Sequence, residues 1–200
     1  MSKEDRRKQL LQTALTVVRE EGIETLTLAS LAERAGVTKP ITYEHFGTRA
    51  GLLIALFRDF DDQATRNVNA ALSAGGKSLE DVGSILSTTY IDSCLSMGPE
   101  ISAVYTALSA SQETSGFKQT WREFLVDEFH NALAAFVKLP KNRFETMLLG
   151  VVGAAEILAE AASAGRMSRN AAILALRSIM IGSLKNAINV YKKQDNDSQM

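Results

Sequence analysis

The run from Thr38 to Arg49 brings together the side chains best suited to chemistry: Thr38, Lys39, Pro40, Ile41, Thr42, Tyr43, Glu44, His45, Phe46, Gly47, Thr48 and Arg49. On a helical wheel stepped at about 100° per residue from Thr42, Phe46 and Thr38 fall within roughly 40° of one inward direction. Pro40 and Glu44 lie near the opposite side, with Lys39 and Tyr43 on one flank and Ile41 and His45 on the other. The outward face is therefore small at Pro40 and bordered by donors, an acceptor and one aliphatic group, a mixture that suits a nucleic-acid groove. Thr38, Lys39 and Tyr43 can reach phosphate oxygens. Glu44 can accept from a cytosine amino group, and Ile41 can meet a thymine methyl.

Other chemistry is sparse. The chain has two histidines and one cysteine, so few nucleophile–base pairs can be built. It shows no phosphate-cradling glycine loop, no His-Glu metal motif and no nucleophile elbow. No catalytic residue, no metal site and no cofactor is therefore expected, and the chain is not expected to be an enzyme. Cys94 and His130 stand alone and are taken as structural residues. A single cysteine excludes an internal disulfide and fits a reducing cytoplasm.

Composition adds bounds. Hydrophobic residues at 46% and charged residues at 22% are the balance of a soluble globular protein. Net charge is −1, and residues 1–50, with eight Lys/Arg and seven Asp/Glu, reach only +1. Any duplex contact must then rest on local geometry. The polar stretch Met1–Lys8 is unlike a secretory signal. No uninterrupted apolar run approaches eighteen residues, so no membrane span is expected.

Helical spacing dominates the chain and no alternating strand pattern is evident. Leu11, Ala14, Leu15 and Val18 recur at helical intervals before Gly22. Thr27 can cap a short helix carrying Leu28, Leu31, Ala32 and Ala35, which Gly36 ends. Thr38 is a second capping candidate, with Pro40 in the first turn, and the helix it starts closes near Gly47. Two short helices about a glycine turn form a helix-turn-helix pattern. Thr48 restarts a long helix to about Ala74. Further helices are expected over Leu79–Met97, Glu100–Ser111, Phe117–Lys138, Lys141–Ala164 and Ser168–Lys193, with a loop at Gln112–Gly116 and a polar tail from Gln194. The helix ends capped by Thr27 and Thr48 offer free N–H groups to phosphate, and Arg49 adds a charge at the second.

The stretch Thr27 to Arg49 resembles the N-terminal domain of the tetracycline-repressor (TetR) family. The Ala35-Gly36-Val37 turn, the run Tyr43-Glu44-His45-Phe46 and the basic Arg49 before Leu52-Leu53 all fall in the family's register. The resemblance is close over about the first 55 residues. It implies an all-α fold: a three-helix helix-turn-helix domain over 1–47, then a larger helical ligand-binding and dimerisation domain over 48–200. It further implies a homodimer on a palindromic double-stranded DNA operator, usually a repressor released by a small molecule. Carried over by position, Thr27, Thr38, Lys39, Pro40, Ile41, Tyr43, Glu44, His45 and Arg49 line the DNA. Thr42 departs from the pattern, which places a larger apolar residue there. A smaller residue is expected to loosen the packing and to leave Ile41 as an apolar contact on the reading side. A rival function is a helical protein-interaction module that keeps a non-binding helix-turn-helix.

The resemblance places the dimer contact on the last two helices, about 141–164 and 168–193. Their small and apolar residues (Gly150, Gly153, Ala154 and Ala161 in one; Ala172, Ile179 and Ser183 in the other) equally fit an internal core. A pocket for an unknown effector is expected among the middle helices, with Tyr90, Tyr105, Trp121, Phe124 and Glu156 as candidate lining, although aromatics at helical spacing also build cores. Glu156 and Glu160, one turn apart, could bind a cation, pair with arginine across a dimer seam or face water.

Overall fold

A computed structural model describes residues 1–110, 114 and 116–197, with 192–197 described by backbone alone. Gln112, Glu113 and Ser115 of the expected loop, and Ser198–Met200 of the tail, lie outside the described residues. The described residues form helices joined by short turns, with no strand among them. The helices are α1 Lys3–Glu21, α2 Leu28–Arg34, α3 Lys39–Phe46, α4 Arg49–Gly75, α5 Leu79–Leu95, α6 Pro99–Ala110, α7 Phe117–Leu133, α8 Lys141–Ser163 and α9 Arg169–Asp197.

Local chemistry explains the boundaries. At α1, the Ser2 hydroxyl accepts from the Asp5 N–H while the Asp5 side chain accepts from the Ser2 N–H. The same reciprocal cap starts α2, between Thr27 and Ser30. The end of α2 is a Schellman turn: Val37 N–H bonds the Ala32 carbonyl at 2.9 Å and Gly36 N–H that of Glu33 at 3.2 Å. Gly36 takes φ +65°, which a side chain would oppose. α7 stops at Leu133, five residues short of the expected Lys138. There Ala134 and Phe136 turn back onto His130 and Leu133, and Val137 is carried into the core.

The chain forms two compact units: Met1–Gln63 with Met97–Lys118, and Ala64–Ser96 with Gln119–Met200. The boundary expected at 47/48 falls inside unit one. Two segments account for this. The first half of α4 buries Leu52, Leu53, Leu56 and Phe57, and α6 buries Ile101, Val104 and Leu108 and packs against α1. Phe57 meets Phe117 edge to face at 5.2 Å and Tyr105 at 5.6 Å. α4 runs without a break from unit one into unit two.

Unit two is built on mutual contacts of α5, α8 and α9. Leu86, Ile91, Phe144, Leu148, Val152, Leu176, Met180 and Leu184 form its core with Leu125, Phe129 and Leu133 of α7. By length and composition alone, α8 and the Arg169–Tyr191 stretch of α9 would suffice to cross a membrane, a test that the core helix of a folded protein also passes. Isolated polar residues interrupt the runs without making either stretch hydrophilic. Each helix also buries one stripe in the unit-two core, leaving a second, outer stripe exposed.

Gly51 is needed for proximity. A Cβ on Gly51 would lie 2.1 Å from the Phe46 carbonyl oxygen, which is backbone and cannot swing aside. Gly51→Ala is expected to lower stability by about 1–3 kcal/mol, because the overlap outweighs alanine's better helix propensity. The midpoint of urea unfolding should fall at unchanged slope. An unaltered midpoint would mean that α3 and α4 are not held this close.

Candidate nucleic-acid interface

α3 has two turns and a single buried stripe. Thr42 is fully buried and Phe46 nearly so. The Thr42 hydroxyl lies 2.8 Å from the Leu28 carbonyl oxygen and 2.9 Å from that of Lys39, so its one proton is shared between α2 and its own helix. The loosening expected at Thr42 is therefore offset by a directed bond between the two helices, for which the burial of a hydroxyl leaves no cheaper alternative. Phe46 is covered on one side by Arg7, whose guanidinium carbon stands 5.0 Å from the ring centroid and whose Nη1 donates to the His45 carbonyl at 3.0 Å.

With Thr42 and Phe46 inward, the remaining side chains face out. Lys39, Pro40, Tyr43 and Glu44 are exposed, Tyr43 at 53%, while Ile41 and His45 are half-buried on the flank. Thr38, placed inward by the wheel, is exposed. It precedes the helix in an extended conformation, φ −76° and ψ 148°, so helical angles do not apply to it, and its side chain makes no capping bond. Thr27 is exposed but its hydroxyl is engaged in the α2 cap. The Thr48 hydroxyl accepts from the Gly51 N–H at 3.0 Å.

Arg49 is arranged differently from its fellow candidates. Its Nε donates to the Leu26 carbonyl at 2.8 Å and its Nη2 to the Ile23 carbonyl at 2.7 Å. The side chain thus fastens the start of α4 to the segment before α2, a contact of 23 residues' separation that the sequence pattern does not signal. Lys3 and Arg7 of α1 were also missed. Lys3 Nζ is 2.9 Å from Glu44 Oε1. That bond is the main reason the Glu44 carboxyl is held below its ordinary range. Burial is the main reason the His45 imidazolium is disfavoured, with Glu44 opposing.

The five candidate effector residues divide between the units. Tyr105 belongs to unit one, in the Phe57–Phe117 cluster. In unit two Tyr90 meets Phe129 edge to face at 6.4 Å, and Trp121 stacks on Phe124 at 5.6 Å. Glu156 receives a two-pronged bond from Arg122, at 2.7 Å from Nη2 and 2.9 Å from Nε. Glu160 pairs with Arg166 at 3.0 Å. Both carboxylates thus have a cation supplied by the chain itself. Burial pushes the Cys94 thiol up to about 11, which keeps it protonated at neutral pH. His130 packs its ring 4.8 Å from Phe144. An open groove of about 510 Å³ lies instead between the start of α8 and the end of α9, lined by Leu139, Thr146, Met147, Ser183, Ala187 and Val190 among others. Among the described residues no cluster of metal-ligating side chains occurs.

Residues 10–56 match the family model of bacterial regulatory proteins, tetR family. The chain carries the N-terminal domain of the TetR family. It is 29% identical over 85 residues to the HTH-type transcriptional regulator BetI of Rhizobium meliloti, covering 42% of each chain. It is 33% identical over 72 residues to the HTH-type transcriptional activator FasR of Mycolicibacterium smegmatis, covering 36% of this chain and 33% of that one. The matched part therefore spans well under half the length of these relatives. In fold, the TetR domain and the helices after it resemble the crystal structure of the multidrug binding protein EbrR complexed with imidazole. The TM-score is 0.65 at 20% identity, over 88% of this chain and 89% of that one.

The Thr42 bond is open to measurement. Thr42→Val keeps the shape and removes the hydroxyl, leaving the Leu28 carbonyl without its donor across the turn. A loss of about 1 kcal/mol in unfolding free energy is expected. Thr42→Ser, which keeps the donor, should lose only what burial of the methyl contributes. Equal stability of the valine variant and the parent would remove this bond from the account.

Proposed function

We propose that the protein is a DNA-binding transcriptional regulator that acts as a homodimer on a palindromic operator, and that a small molecule releases it as a repressor. The observation that carries this proposal is the outward face of α3. Only Thr42 and Phe46 are spent on holding the helix, and Lys39, Pro40, Ile41, Tyr43, Glu44 and His45 remain on one accessible side. Family membership of residues 10–56 supports the same use of this face. Thr27, Thr38 and the N–H groups at the starts of α2 and α4 complete the proposed surface toward the phosphates. Arg49, with two donors on backbone carbonyls, would act there mainly by fixing the start of α4.

The homodimer is proposed through α8 and α9. On α8, Leu149 and Ile157 are exposed at 49% and 64%; on α9, Leu174, Ile179 and Val190 at 57%, 43% and 44%. Gly150, Gly153 and Gly182 lie among them with open space at the Cβ position. Two adjacent helices with exposed apolar stripes and small residues suit a self-complementary pairing about a two-fold axis. Such an axis would set two α3 helices on half-sites about one duplex turn or more apart. An effector would act by binding two conformations unequally, with α4 the covalent route between the units. A ligand-bound structure of similar fold, EbrR with imidazole, is compatible with a small-molecule site, here proposed in unit two near Tyr90, Trp121, Phe124 and Glu156.

Two experiments test the proposal. A duplex selected by the full-length protein from a random library should bind with strong salt dependence. Lys39→Ala should reduce the slope of log affinity against log salt by about one, and Tyr43→Ala should weaken binding about tenfold. Unchanged affinity and slope in both variants would favour a scaffold role for the helix-turn-helix. Separately, Leu174→Glu places a charge at an exposed position of the monomer. It should convert a dimer into a folded monomer in sedimentation velocity, and a persisting dimer would move the contact elsewhere.

A further inference from the structure

The packing of α1 on α3 assigns a task to a residue outside the reading helix. Lys3 and Arg7 are one turn apart on the same side of α1. Arg7 is bonded to the His45 carbonyl and lies over the Phe46 ring, which seats α1 on the last turn of α3. One turn earlier, Lys3 Nζ meets Glu44 Oε1 at 2.9 Å. The start of α1 is itself fixed by the reciprocal bonds of Ser2 and Asp5, at 3.0 and 3.2 Å, so Lys3 projects from an ordered first turn.

Glu44 is the single carboxylate of α3 and stands on its outward face. A duplex groove is walled by phosphates, and a bare carboxylate among them repels. We propose that Lys3 is a positioning residue of the reading surface: it draws the Glu44 carboxylate toward α1 and neutralises it, so that α3 can approach a duplex without an uncompensated negative charge. The proposal rests on the DNA-binding function above. Lys3 acts through Glu44, whereas Lys39 would meet a phosphate itself.

The test uses the full-length chain as Lys3→Met, Glu44→Gln, the double variant and Lys3→Arg. Two quantities are read: affinity for the library-selected duplex at low salt, and the titration of the Glu44 side-chain carboxyl by carbon-13 NMR without DNA. His45 is the neighbouring titratable group and is followed in the same spectra. Lys3→Met should weaken binding by about two- to fivefold when Glu44 is present and leave it nearly unchanged when residue 44 is glutamine. Lys3→Arg should restore binding. The Glu44 titration should move upward in Lys3→Met and stay low in Lys3→Arg. An equal loss in both backgrounds, with the salt slope reduced by about one, would overturn the proposal by making Lys3 an independent phosphate ligand. No loss of affinity in Lys3→Met would also overturn it, as would a Glu44 titration indifferent to that substitution. If the unaltered chain binds no duplex, the DNA-binding function fails, while the titration still decides whether Lys3 governs Glu44.

Discussion

An eight-residue helix cannot stand in water by its own hydrogen bonds, since nucleation costs more than two turns return. α3 therefore depends on what it buries, and it buries only Thr42 and Phe46. The rest of unit one can be understood as the mould for those two side chains. α2 presents the Leu28 carbonyl to Thr42. α1 lays Arg7 over Phe46 and bonds the backbone of the turn it ends. α4 begins so close to Phe46 that Gly51 has no room for a side chain. Because so little of α3 is used for holding, most of it is left for contact. That division of labour makes a short helix useful at a surface.

Much of this was legible in the sequence because it is local. Thr27 and Ser30 announce a cap, Gly36 a positive-φ turn and Pro40 a first helical turn, and each acts within four or five residues of itself. The wheel around Thr42 placed Pro40 and Glu44 outward, with Lys39 and Tyr43 on their flank, for the same reason. It failed at Thr38, where the chain is not yet helical. What stayed hidden is non-local. Arg49 at a helix start looks like a phosphate ligand until the carbonyls of Ile23 and Leu26 appear beside it. Gly51 reads as an ordinary helix interruption until the Phe46 carbonyl is seen against it. α6 joins unit one after the chain has left it over Ala64–Ser96, and no periodicity reports such a return.

The near-neutral charge balance takes on meaning at this scale. In unit one Arg34 pairs with Glu20 and Glu21, Arg19 pairs with Glu100, and Arg7 and Arg49 bond backbone carbonyls. These guanidiniums serve the fold, since a planar multi-donor group suits carbonyl and carboxylate acceptors better than an ammonium does. The lysine of the outward face, Lys39, is exposed. A net count of charges mixes the two kinds of cation, which is why it says nothing about the surface on α3.

Thr42 also bears on how sharply that surface is aimed. An apolar side chain at the same place would hold α3 by area, and area changes slowly as a helix rolls about its axis. A hydroxyl bonded at 2.8 Å to a carbonyl on the neighbouring helix tolerates far less rotation, because a hydrogen bond weakens steeply with angle. Side chains on α3 are about 100° apart, so a roll of even a third of that spacing would carry Tyr43 or Ile41 several ångströms across its surface. The smaller residue thus trades buried area for a fixed roll angle. In a helix this short, whose outward residues must all meet their partners together, the angle is the more valuable of the two.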